Sequence, residues 1–225
     1  MSNSVLILFL QDRGFALTTV ALLMVVTQIT SASFEIPTGV LSDRFSDKGT
    51  LTASAVCYVV TCASLFFAAR PGIAIVAMVF AGLTLSLESG TIHAHLHDSL
   101  QQHGREAAFH SVVAAYMATK WYAMLGAALL TSVVARVAGL HSIVLVAGGF
   151  ALLAAVTGRL LREPAFLSEV RGRHASVGEE LARSLRHGAG SVRLIVQSPV
   201  LRTLLLLRVA LLQAVSFATA FLVQP

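Results

Sequence analysis

The chain is a succession of apolar stretches, each close to the length that crosses a bilayer, separated by short polar breaks. Phe15 to Gly39, Thr50 to Ala69, Ile73 to about Leu96, Ala107 to Ala135 and His141 to Leu161 are five such stretches, and Val200 to Val223 is a further one. Val5 to Leu10 is apolar but far shorter than the ~20 residues a spanning helix needs, so it reads as the tail of a first helix that turns at Gln11 to Gly14. Hydrophobic residues make up 56% of the chain and charged ones 12%, with a mean hydropathy of +0.80, far more apolar than a soluble domain. The chain is therefore read as an all-α polytopic membrane protein, because a backbone in hydrocarbon must satisfy its own hydrogen bonds.

The net charge of +5 follows the breaks between spans. The basic residues do not cluster with aromatic ones, which argues against nucleic acid as a partner. If the turn at Asp43 faces the cytoplasm, so do Arg44, Lys48, Arg105, Arg159, Arg162, Arg171, Arg173, Arg183, Arg186, Arg193 and Arg202. Arg13, Arg70 and Arg136 then lie opposite. That asymmetry follows the positive-inside rule and places the long connector in the cytoplasm. Cys57 and Cys62 fall on different faces of one apolar span and read as packing residues. Met1 to Leu10 lacks the basic start and the small-residue cleavage site of a signal peptide.

Between the second and third spans the chain reads Phe-Glu-Ile-Pro-Thr-Gly-Val-Leu-Ser-Asp-Arg-Phe-Ser-Asp-Lys over residues 34 to 48. Here Pro37 is expected to loosen the last turn of the incoming helix and Gly39 to let another backbone approach. Asp43 and Arg44 are placed to cap helix ends or to pair. The stretch resembles the signature loop between the second and third helices of major facilitator superfamily transporters. Gly39, Asp43, Arg44 and Lys48 match its pattern, whereas Ser46 stands where the family has glycine and Asp47 where it has a basic residue. The preceding Phe34 to Thr38 is similar to the run found there in bacterial drug-efflux-like members. His97-Asp98-Ser99-Leu100 resembles the Tyr-Asp-Ser-Leu run that ends their fourth helix.

The resemblance implies two similar six-helix halves joined by a cytoplasmic connector. On it, residues 1–161 are an amino-terminal bundle with an incomplete first helix, 162–198 the connector, and 199–225 the first helix of the second half. Leu8-Phe9-Leu10-Gln11 and Phe221-Leu222-Val223-Gln224 then fall at equivalent places, and the chain reads as a fragment whose second half is missing. Within the connector, Ser176 and Glu179 fit a capping box, and Val177, Leu181 and Leu185 form an apolar stripe, so a short helix is expected before Gly188. Ser198 and Pro199 supply an N-cap and a first-turn proline for the last span.

Charges inside spans are costly, by about 2.5 to 3.5 kcal/mol each at a helix centre, and each needs a reason. Glu35, Glu88, Lys120 and Arg208 are the candidates for substrate or proton coupling. Glu35 either pairs with a basic residue across the crossing or handles a proton or substrate. Glu88, amid Ser86, Ser89 and Gly90, is suited to taking up a proton. Lys120, mid-span beside Trp121 and Tyr122, needs a carboxylate partner or a wet cavity, and a pair with Glu88 is the simplest arrangement. Arg208 either snorkels to the cytoplasmic face or lines the cavity.

His93 and His97 share a helical face, His95 points away from both, and two histidines with Asp98 nearby raise the alternative of a metal-bearing membrane enzyme. The simpler reading places the three histidines at a helix end, where the dipole favours them, and expects no metal and no cofactor. The fifth span lacks the glycine- and proline-rich motif usual in proton-driven drug antiporters. Its Ala114, Ala118, Ala123 and Ala127 are expected to pack closely against neighbouring helices instead. No phosphate-binding loop supports direct ATP drive. The expectation is a secondary transporter, not an enzyme, moving a small molecule outward by alternating access with protons as the coupling ion. A non-transporting membrane scaffold or gene remnant is the other reading.

Overall fold

The structure, a computed structural model, describes residues 3–44, 47–160, 197–204, 206, 207 and 210. The chain divides into two compact units, Met1–His174 and Ala175–Pro225. The first is built from α1 (Asn3–Asp12), α2 (Leu17–Arg44), α3 (Asp47–Phe66), α4 (Pro71–Gln102), α5 (Phe109–Ala138) and α6 (Leu140–Gly158), with a 3-10 turn at Glu106–Ala108. No strand occurs among the described residues. Segments Leu17–Glu35, Asp47–Phe66, Pro71–Ser89, Glu106–Ala138 and Leu140–Gly158 are long and apolar enough to cross a membrane.

α2 and α4 outrun the apolar stretches that predict them, because a helix needs backbone bonds and not apolar side chains to continue, whereas α3 and α6 stop three residues short of theirs. Glycine 39 does not end the second helix. α2 runs to Arg44, so Pro37 sits inside it and not in its last turn. Only residues 45 and 46 separate α2 from α3, which begins at Asp47 rather than Gly49. α4 likewise passes the histidines and ends at Gln102. With 32 residues it is about 48 Å long, well beyond the ~30 Å hydrocarbon layer. Histidines 93, 95 and 97 therefore lie within α4 and not at its end; His103 is the residue that caps it. A single residue, Gly139 at φ +81, turns α5 into α6, a conformation that side chains other than glycine's rarely adopt.

α3 packs along α4 on one side and α6 on the other, while α2 lies along α4. Small residues let these backbones close up, as membrane helices require without a hydrophobic driving force between them. A Cβ added to Gly82 of α4 would stand 2.6 Å from Thr27 O and 2.7 Å from Thr30 Cβ of α2. At Gly158 of α6 it would meet Thr52 Oγ1 of α3 at 3.1 Å. Gly39 does not serve this way, since no described atom lies within 4 Å of where its Cβ would be. Nor do the alanines of α5, a helix that buries none of its residues. Ala114, Ala118, Ala123 and Ala127 are exposed. Close approach is set by glycine in α4 and α6, where the partner backbone lies directly opposite.

The two ends of this bundle are built differently. The apolar core of Phe9, Leu10, Val20, Leu23, Leu65, Ala74, Met78 and Val144 gathers where α1 meets α2, α3 meets α4 and α5 meets α6. At that end Arg13 donates from Nη2 to Phe66 O at 2.8 Å, satisfying a carbonyl at the close of α3, and lies over the Phe9 ring. Toward the α2–α3 crossing the buried side chains are, besides Leu87, hydroxyls and one carboxylate: Thr38, Asp47, Thr50, Ser54, Ser86 and Thr91. Of the cysteines, Cys62 is buried in the core and Cys57 is half-buried, and both are free thiols.

In the second unit, residues 199–204 are helical. Leu201 N–H donates to Ser198 Oγ at 3.4 Å, so Ser198 and Pro199 open this helix as their types predict. The connector helix expected after Ser176, the remainder of the last span and Arg208 lie outside the described residues.

Candidate functional site

Glu88 and Lys120 sit on different helices, 32 residues apart, and meet. Lys120 Nζ donates to Glu88 Oε1 at 3.3 Å, joining α4 to α5 inside segments of membrane-crossing length. The pair answers the cost of each charge: apart, both would sit in hydrocarbon without compensation, whereas together they are neutral. It is not sealed. The Glu88 side chain is 35% exposed and that of Lys120 49%. Tyr116, one turn before Lys120 on α5, lies within electrostatic reach of both charges. A half-open pair leaves each charge within reach of solvent, so a ligand or a proton can take the place of one partner.

Behind Glu88, hydroxyls join α4 to α2. Thr38 Oγ1 donates to Phe34 O at 2.6 Å and accepts from Ser86 Oγ at 2.6 Å, both side chains buried. Ser89 Oγ donates to Ser86 O at 3.2 Å. The Phe34 to Thr38 run thus touches the element that carries Glu88. Glu35 in the same run is exposed, and its carboxylate has no partner among the described residues. It does not pair across the crossing there.

The crossing itself is held by a contact that the sequence did not reveal. Asp47 Oδ2 lies 3.1 Å from His95 Nδ1, with the side chains only 6% and 17% exposed. One signal pointed to it: Asp47 stands where a basic residue is the pattern, and a buried acid at a helix start needs a partner. Nothing in the sequence named His95, 48 residues on. Lys48, half-buried, is engaged as well, and Thr52 Oγ1 donates to Lys48 O at 2.7 Å. Asp43 and Arg44 occupy the last turn of α2; their side chains, and that of His93, lie outside the described part of the structure.

His97 is turned to Asp98, Nδ1 to Oδ1 at 3.5 Å, and its ring meets Phe109 edge-on. Among the described residues no three His, Cys, Asp or Glu side chains gather as metal ligands do. A cleft of about 380 Å³ opens between α5 and α6, with Tyr58 of α3 at its back and Met124, Leu130, Val146 and Phe150 among its walls. Its lining is apolar and rich in alanine, the composition that receives a neighbouring helix or hydrocarbon and not a polar group.

Apolar helices of crossing length, packed through glycines and joined by an intramembrane ion pair, define a polytopic helical membrane protein. The chain belongs to the Major Facilitator Superfamily, whose description matches residues 1–225, and members of that family are transporters. No curated protein and no solved structure shows a significant match.

Proposed function

We propose that the protein is a secondary transporter that exports a small molecule by alternating access, coupled to protons through Glu88 and Lys120. The observation that carries the reading is the Glu88 to Lys120 pair, half-open within the membrane spans. A coupling site must hold charge in hydrocarbon and yet release it, and a pair at 3.3 Å that both water and ligand can reach does so. Around it the hydroxyl-lined crossing end, with polar contacts between α2, α3 and α4, is the part able to rearrange, because hydrogen bonds exchange partners more readily than a close-packed apolar core deforms.

In this reading Gly39, Asp43, Arg44 and Lys48 form the gate that holds one of the two states, and Arg208 and Glu35 line or flank the path. Residues 1–161 form one half, 162–198 a cytoplasmic connector, and 199–225 the first helix of a second half. Two halves rocking about a midplane site supply the alternating access. Protonation or substrate must bind one state better than the other to drive the change. The charge asymmetry supports a cytoplasmic connector, and the membrane assigned in this reading is a bacterial inner membrane.

The test is export from cells expressing the complete gene, wild type against Asp43→Asn and Glu88→Gln. Asp43→Asn is expected at normal levels in the membrane and Glu88→Gln at a somewhat lower level, and in both export per molecule is expected to fall at least tenfold. Wild-type export by both would show that neither gate nor pair takes part.

A further inference from the structure

Building on the transporter reading, we infer that the Glu88 and Lys120 site takes a small organic carboxylate together with one proton, the carboxylate on Lys120 Nζ and the proton on Glu88. The argument is one of charge. At rest the pair is neutral, one carboxylate against one ammonium at 3.3 Å. When a proton moves from water onto the Glu88 carboxylate, the Lys120 ammonium loses its counter-charge and an incoming monoanion restores it. The loaded site again sums to zero: a neutral acid, an ammonium and an anion. A cation bound to Glu88 would instead leave the site at plus one, unless Lys120 gave up its proton. Within a membrane span the neutral route prevails.

The geometry agrees. Lys120 is the more exposed partner, 49% against 35%, so a ligand entering from the open side meets the ammonium first. Its single contact with Glu88 uses one of three donors, and the others have no acceptor among the described residues. Tyr116 adds a phenol beside the pair. Among the described residues neither Glu88 nor Lys120 has a second ion-pair partner, and on α4 itself His95 faces Asp47 and His97 faces Asp98. On α2, Glu35 makes no ion pair among the described residues. Between Lys48 and Phe66, α3 offers only Cys57, Tyr58 and Cys62, and after His141 no residue of α6 is acidic or basic. Export then runs down the anion's own gradient and carries a proton out with it, as suits a weak acid accumulating inside.

Trp121, the single tryptophan of the sequence, follows Lys120 in α5 and is the fluorescent probe for a change at that position. In lipid nanodiscs, titrating the protein with benzoate should change Trp121 emission saturably. The apparent affinity should rise about tenfold for each unit of falling pH while Glu88 is ionised. Lys120→Met should abolish the response and Lys120→Arg retain it. Glu88→Gln should keep benzoate binding but make it independent of pH. Saturable binding of benzyltrimethylammonium, lost in Glu88→Gln, would overturn the anion assignment and leave the pair as a transport site. A silent Trp121 with both ions, in a protein whose export still depends on Glu88, would overturn this binding site alone; silence together with Glu88-independent export would overturn the transporter reading of the pair as well.

Discussion

Asp47 Oδ2 and His95 Nδ1 lie 3.1 Å apart with both side chains largely buried, tying the first turn of α3 to α4 at the mouth of the α2–α3 crossing. A carboxylate in the first turn of a helix is favoured by the dipole, and the imidazole gives it a second reason to stay. The crossing is thus fastened to α4 by a side-chain pair as well as by the covalent chain. Removing either partner leaves the other buried with less compensation, so Asp47→Asn and His95→Phe should each destabilise the fold by about 1 to 3 kcal/mol. A double-mutant cycle on thermal unfolding in detergent checks this: the double variant should cost less than the two single costs added together. Strict additivity would mean that the two residues do not interact.

The pair of Glu88 and Lys120 should behave asymmetrically under substitution. Lys120→Met alone leaves a carboxylate uncompensated in a span, a cost of about 2.5 to 3.5 kcal/mol on insertion scales, which solvent access at this half-open site will reduce. Glu88→Gln with Lys120→Met removes both charges together. The single Lys120→Met variant should therefore reach the membrane less well than the double variant, while neither transports. Quantitative membrane fractionation separates the two, and equal yields would mean that the pair does not compensate its own charges.

Glycine at position 82 should be intolerant of change where glycine at 39 is tolerant. A methyl group on Gly82 would stand 2.6 Å from the backbone of α2 at Thr27, so Gly82→Ala must push α2 and α4 apart, at about 1 to 3 kcal/mol. Gly39→Ala meets no described atom and should leave stability within about 0.5 kcal/mol. The melting temperatures of the two variants in detergent make the comparison; a Gly82→Ala protein as stable as the wild type would show that α2 and α4 do not approach so closely.

At the opposite end of the bundle, Arg13→Gln should remove the bond to Phe66 O and the contact with the Phe9 ring, costing about 2 kcal/mol. Proteolysis at the α1–α2 and α3–α4 turns should quicken in that variant relative to wild type, and unchanged cleavage would refute the clasp.

Much of the fold was legible because the bilayer sets a length and forbids unpaired backbone. Five apolar stretches of crossing length are helices in the structure, and Gly139 turns α5 into α6 where the sequence marks a break. The ends were misjudged for a physical reason. Hydropathy falls after Gly39 and again after Leu96, yet polar side chains do not interrupt backbone bonding, and α2 and α4 continue to Arg44 and Gln102. Even Pro37, which withholds one donor, is carried within α2.

By itself the sequence determined that this is a membrane-embedded helical protein and which of its charges are out of place in hydrocarbon, because those facts depend on composition and spacing along one chain. Which charges meet depends on how helices are turned about their axes, and that was decided only by packing. A glycine at 82 brings α4 against α2, Lys120 falls opposite Glu88, and Asp47 finds His95, 48 residues away. Rotation of a helix by one residue, about 100°, would separate each of these pairs without altering a single apolar stretch. The seam between helices therefore carries the site, and no reading of one span alone contains it.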